Sequence, residues 1–135
     1  MSARRKARKR ALDFLYEADI RGATALSLLS ERPAEELSQG DYVRELLVGV
    51  EEHLSKIDEL ITTYAQGWDM DRLPAVDRNI MRLALFEILW SPDLDDAIAI
   101  DEALSMAKEL STDESAGYIH GVLGRIASLK DGLAL

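Results

Sequence analysis

The sequence contains no cysteine, which excludes disulfides and thiolate metal sites. That absence suits a reducing compartment. Proline is scarce: Pro33, Pro74 and Pro92 are the three in 135 residues, and each falls at a break between helical stretches. There are two histidines, His53 and His120, on separate predicted helices and outside any His-Glu-Xaa-Xaa-His pattern, so no metal site is expected. The eight glycines do not gather into a phosphate-cradling loop. The most apolar stretch, Leu83 to Trp90, is interrupted by Glu87 and is far too short to span a bilayer. No apolar signal core follows the basic N-terminus, so a cytoplasmic protein without membrane contact is expected. Adjacent carboxylates such as Asp95–Asp96 and Asp101–Glu102 read as helix capping and solvation rather than as an acid/base pair. With no catalytic constellation, the expectation is a binding protein that is not an enzyme and carries no cofactor or metal.

What the sequence does contain is charge, unevenly placed. The formal net charge is −9. Arg4, Arg5, Lys6, Arg8, Lys9 and Arg10 contribute +6 within the first ten residues, where there is no acid, so the rest of the chain carries −15. Such a protein binds a polyanion locally and repels it elsewhere. Its acidic body also suits a basic protein partner.

Hydrophobic spacing reads as helix throughout, so the expected class is all-α. Ala7, Ala11, Phe14, Leu15 and Ala18 form one stripe that ends at Gly22. A short second helix covers Thr24 to Glu31 and is closed by Pro33, and Arg32 to Gly40 reads as a loop. Val43, Leu46, Leu47, Val50, Leu54, Ile57, Ile61 and Tyr64 hold a stripe for about six turns, with Gly49 as a bending point. The segment 67–75 separates residues 1–67 from residues 68–135. Asp77 reads as the cap of a central buried helix that runs to the Ser91-Pro92-Asp93 break. A fifth helix spans Asp96 to Leu110. A sixth starts at Ser111, with Glu114 three residues on as a capping box, and reaches Leu129. No stretch alternates like a strand.

The basic run sits where helix physics disfavours it. Arg4–Arg8, Arg5–Lys9 and Lys6–Arg10 are like-charge pairs four apart, each opposing a helix by a few tenths of a kcal/mol, at roughly 0.2–0.5. Cations at a helix N-terminus also oppose its dipole. Frayed first turns are therefore expected, ordered by a bound polyanion. The run adjoins the Phe14–Leu15 stripe, so it is anchored beside a folded surface. Tyr16 and Tyr118 are the best aromatic platforms for single-stranded RNA, and Tyr118 lies near a helix N-terminus whose free N–H groups can meet phosphate.

Four segments carry a family resemblance. Residues 4–16 (RRKARKRALDFLY) resemble the arm and first helix of the NusB transcription antitermination family. Residues 76–89 (VDRNIMRLALFEIL), 99–108 (AIDEALSMAK) and 113–123 (DESAGYIHGVL) resemble its central helix, the next helix and the opening of its last helix, in the family's order and spacing. The resemblance implies two small three-helix bundles packed together. It implies binding to boxA RNA of ribosomal RNA transcripts, jointly with the tenth small-subunit ribosomal protein (NusE in this role), and, through that complex, association with other Nus factors and RNA polymerase. Carried over residue by residue, it assigns RNA contacts to Arg4, Arg5, Lys6 and Arg8, and to Glu114 and Tyr118. It assigns the ribosomal-protein contact to Asp77. Lys9 and Tyr16 join the RNA set from the residue reading, and Arg78 and Met81 join Asp77 by proximity. The chain departs from many relatives at His120, where they have Asn, at Tyr118, where they have Phe, and at Glu114, where the family acid is Asp.

Two other readings compete. One is a homodimeric helical interaction module whose arm is covered by its own partner. The other is an accessory domain like those preceding ribosomal RNA methyltransferases, but no glycine motif for a methyl donor is present.

Overall fold

The computed structural model describes residues 2–32, 40–65, 67 and 72–135. Within them the chain forms seven α-helices and no strand: α1 (Ala3–Arg21), α2 (Ala25–Ser30), α3 (Gly40–Glu52), α4 (Leu54–Tyr64), α5 (Ala75–Trp90), α6 (Asp96–Leu110) and α7 (Asp113–Leu129). A short 3₁₀ turn, Lys130–Gly132, follows α7. No helix among the described residues is long and apolar enough to cross a membrane. Pro33, most of the 32–40 loop and residues 68–71 of the segment expected to separate two bundles lie outside the described residues.

The all-α class read from periodicity holds. The central element is α5. It packs against α1, α3 and α4 on one side of the chain order and against α6 and α7 on the other. Ile80, Met81, Leu83, Leu85 and Ile88 are all buried, and each such side chain contributes about 1.5–3 kcal/mol when fully removed from water. One continuous core joins this helix to Phe14, Leu46, Ile57, Met106 and Ile119 from the other elements.

Three local expectations are corrected. The six-turn stripe is two helices, α3 and α4, because the backbone leaves helical geometry at His53 (φ −111°, ψ 13°). The break is a kink and not a loop: His53 N–H still donates to Gly49 O, and Ile57 N–H donates to His53 O. The His53 ring stacks on Trp90 at 3.9 Å and 8°, which fixes the kink against α5. Gly49 therefore does not mark the bend. It lets α3 approach α5 so closely that a Cβ there would overlap the Phe86 ring. Second, Ser111 closes α6, donating its N–H to Ala107 O, and the cap of α7 is Thr112, whose Oγ1 accepts from Ser115 N–H. Glu114 is thus in the first turn but out of register for a capping box. Third, Asp77 is not the cap of α5. Pro74 holds that position, and Asp77 lies in the first turn, where an acid suits the helix dipole.

The terminal glycine of α1 behaves as the sequence suggests. Gly22 takes the left-handed conformation (φ 67°) that ends a helix at little cost.

Gly49→Ala is expected to destabilise the fold by roughly 1–3 kcal/mol, because Phe86 is buried and must move to admit the methyl group. Urea denaturation with an unchanged slope and a lowered midpoint is the expected readout; an unchanged midpoint would mean that the α3–α5 approach is not constrained by this contact.

Candidate nucleic-acid interface

The basic run is ordered. α1 is regular from Ala3 onward, and Ser2 caps it, accepting Arg5 N–H at 3.1 Å. The expected fraying does not occur because the protein supplies its own counter-charges. Arg5 donates to both oxygens of Glu102 on α6 (2.9 and 3.2 Å). Lys9 pairs with Glu109, also on α6. Arg8 donates to both oxygens of Glu87 on α5 (2.8 and 3.0 Å). With three of the six cations neutralised, the like-charge repulsion along α1 is largely removed.

These pairs differ in depth. Arg8 is 3% exposed and Glu87 1%, so that pair belongs to the core. Glu87 also accepts the Tyr42 hydroxyl at 2.7 Å, which satisfies its second oxygen further. Burial alone would lower the Arg8 pKa, but the Glu87 hydrogen bonds and charge hold it above the ordinary guanidinium value. Burial and the same carboxylate push the Tyr42 phenol up to about 12. By contrast, the Arg5 side chain remains 42% exposed. Its pKa is raised by the Glu102 hydrogen bond and charge.

The outer side of the helix stays open. Arg4 and Lys6 are exposed, and neither has a carboxylate partner among the described residues. The Arg4 guanidinium lies over the Tyr42 ring at 4.8 Å, a cation–π contact that steadies the side chain. Arg10 lies over Phe14 at 5.2 Å. Tyr16 is 41% exposed, two turns further along the same helix.

α7 supplies a second surface. The Lys9–Glu109 pair ties α1 to the end of α6, from which Thr112 leads directly into α7, so the exposed Glu114 follows closely in the chain. Tyr118 is half-buried one turn later, and burial raises its phenol pKa. It lines a groove of about 520 Å³ between α4 and α7 with Thr63, Tyr64, Val122 and Arg125. Gly117 and Gly121 line the same groove, and a Cβ at either would meet nothing within 4 Å. Tyr64 and Arg125 escaped the sequence reading. Tyr64 was absorbed into the core stripe, and only the α4–α7 packing turns it toward Tyr118.

The residues assigned to a protein partner separate. Met81 has no exposed surface, and its place in the α5 core bars it from direct contact in the free chain. Arg78 is engaged internally, donating to Asp19 at 2.8 Å and to Leu73 O at 3.1 Å. Asp19 also pairs with Arg82, which grips Asp58, so this network joins α1, α4 and α5. Burial would raise the Asp19 pKa, but the hydrogen bonds from Arg78 and Asn79 and the charge of Arg82 hold it below the usual carboxylate range. Asp77 is 3% exposed, and its enclosed Oδ1 accepts no hydrogen bond from the described residues. Arg8 is corrected in the same sense as Met81: its guanidinium is spent on Glu87. Among the described residues no group of His, Asp and Glu is arranged to hold a metal ion.

The chain matches the profile of the NusB family over residues 5–128. It is 49% identical over 135 residues to a protein of a Nocardioides species named transcription antitermination protein NusB, covering 99% of this chain and all of that one. Its fold is similar to that of T. maritima NusB, with a TM-score of 0.85 and 32% identity over 98% of this chain and 99% of that one. It is also similar in fold, with a TM-score of 0.81, 24% identity and coverage of 95% and 98%, to a chain from a crystal structure of antitermination factors NusB and NusE in complex with double-stranded RNA.

Glu87→Ala is expected to destabilise the protein by about 3–5 kcal/mol, because it strands a buried guanidinium. The double replacement Arg8→Met with Glu87→Leu should cost less than that single change. Chemical denaturation of the two variants checks this; a double variant at least as unstable as Glu87→Ala would show that packing, not the stranded charge, dominates.

Proposed function

The chain belongs to the NusB family, and on that premise we propose that it is an RNA-binding antitermination factor that takes boxA-type RNA on the basic face of α1. It is a binding protein and not an enzyme. The observation that carries the reading is the arm itself. On a chain of net charge −9, α1 holds Arg4, Arg5, Lys6 and Lys9 in regular helix at one edge of the fold. A positive helix end of this kind attracts phosphate, and its rigidity removes the ordering cost that a frayed arm would incur on binding. Arg8 contributes by fixing the arm to α5 rather than by touching RNA. The groove holding Tyr118, Tyr64 and Arg125 offers stacking faces and a cation, which suits single-stranded bases and their phosphates. Glu114, exposed at the start of α7, accepts hydrogen bonds from base edges there. Tyr16 extends the aromatic surface along α1.

The partner is the tenth small-subunit ribosomal protein, NusE. Through it the complex joins other Nus factors and RNA polymerase in the cytoplasm. The acidic body supplies charge complementarity for a basic ribosomal protein. Of the three residues first assigned to it, Asp77 is the one with an acceptor left over, its Oδ1 having no hydrogen-bond partner among the described residues; enclosed as Met81 is, it meets the partner only if the start of α5 opens locally.

Replacing Arg4, Arg5 and Lys6 together with alanine is expected to leave the fold intact. It should weaken boxA-type RNA binding and lower the slope of log affinity against log salt by at least about 1.4, at about 0.7 for each of the phosphates met by Arg4 and Lys6, with a smaller share from the paired Arg5. In the same titration Tyr118→Ala should cost roughly 1–3 kcal/mol. Unchanged affinity in the triple variant would overturn the arm as the RNA site. Asp77→Asn keeps the side chain's shape and removes its charge. It should weaken association with the ribosomal protein by roughly tenfold, about 1.4 kcal/mol, with RNA affinity of the isolated chain unchanged. Calorimetry that finds the same ribosomal-protein affinity would return Asp77 to a helix-dipole role alone.

A further inference from the structure

We infer that Glu102 and Glu109 of α6 are the resident counter-ions of the RNA site, exchanged for phosphate on binding, while Glu87 is its fixed anchor. The inference rests on the RNA reading above and concerns how that site is tuned.

Apart from Arg10, which lies over Phe14, the cations of the arm fall into three sets. Arg4 and Lys6 face solvent without a carboxylate among the described residues. Arg5 and Lys9 face solvent with one, Glu102 and Glu109 respectively. Arg8 is buried against Glu87, with Glu102 a more distant second carboxylate at 3.8 Å. The middle set is the informative one. The Arg5 fork lies on Glu102 in the two-point geometry with which a guanidinium grips a phosphate, so the carboxylate occupies the donors an RNA phosphate would take. Lys9 and Glu109 are both substantially exposed, with side chains 27% and 51% accessible. Such an exposed pair is weak and readily exchanged, whereas at Arg5 it is the 42%-exposed guanidinium that turns to phosphate while Glu102, 14% exposed, stays beside Arg8. The Arg8–Glu87 pair cannot exchange in this way, because parting it leaves a charge in the core. A phosphate chain arriving on α1 therefore replaces the two α6 carboxylates and leaves the anchor in place.

The arrangement has a measurable signature. A cation already neutralised by a carboxylate of its own protein holds no small anion, and transferring it to phosphate is an exchange within the complex. It adds less to the salt dependence than an unpaired cation does. The carboxylates must also be left behind, close to the bound RNA, which lowers affinity. Glu102 and Glu109 thus keep the arm folded in the free protein while restraining its hold on polyanions that lack further contacts.

The test uses the full chain and a boxA-type single-stranded RNA at several salt concentrations. Glu102→Gln with Glu109→Gln should bind roughly threefold to thirtyfold more tightly at low salt. Its log–log salt slope should steepen by up to about 1.4, at about 0.7 for each of two phosphates. The charge-conserving pair Glu102→Asp with Glu109→Asp should keep the wild-type slope. Glu31→Gln with Glu52→Gln removes the same charge from exposed sites at the C-terminal ends of α2 and α3 and should change affinity and slope far less. Wild-type binding with no change in the α6 glutamine variant, or an equal change in the remote variant, would overturn the inference alone. Absence of wild-type RNA binding would overturn the RNA reading and this inference with it.

Discussion

Glu87 lies in the last turn of α5, the central helix of the fold, and is almost fully enclosed. A carboxylate there is tolerable only with a cation and hydrogen bonds to replace water. Arg8 and Tyr42 provide them, and in doing so they fix α1 and α3 against α5 at the point where the basic arm leaves the core. The requirement is mutual, since Arg8 would be equally intolerable without Glu87. The arm is consequently a regular helix of defined orientation, and its remaining cations project from known positions. The same tie sets Arg4 over Tyr42, because the ring is held by the hydroxyl that Glu87 accepts.

From that fixed point the electrostatics grade outward. The pair at Arg8 is buried, the pairs at Arg5 and Lys9 lie nearer the surface, and Arg4 and Lys6 carry their charge into solvent. Residues of one chemical type, adjacent in sequence, thereby acquire different work. Helical periodicity sorts them: Arg4 and Arg8 share one face with Tyr42, while Arg5 and Lys9 share another with α6. A second network, around Asp19, Arg78, Arg82 and Asp58, fastens the other end of α1 to α4 and α5. Together the two networks hold the acidic body and the basic helix in one arrangement despite their opposite charge.

The helices were legible because burial imposes a period of 3.6 on apolar residues, and that period survives in the sequence. Gly22 announced the end of α1, and the Ser91-Pro92-Asp93 break announced the end of α5. The errors fell where a local cue had more than one structural meaning. Gly49 is as suited to close helix packing as to a bend, and only Phe86 decides between them. Ser111 and Thr112 are both good caps, and the register of α7 against the core selects the second. The capping reading of Glu114 failed with it.

The sequence by itself determined the helical class, the basic arm with its acidic counterweight, and the family to which four segments point. These are properties of composition, spacing and order along one chain, and they need no knowledge of which helices meet. Tertiary structure alone decided the fate of each cation and each candidate contact. Arg8 became core, Met81 and Asp77 were enclosed, Arg78 was drawn into an internal network, and Tyr64 joined Tyr118 in a groove. The reason is range. Partners such as Arg8 and Glu87 are 79 residues apart, and the balance between desolvation and Coulomb attraction is set only once packing has placed them within hydrogen-bond reach.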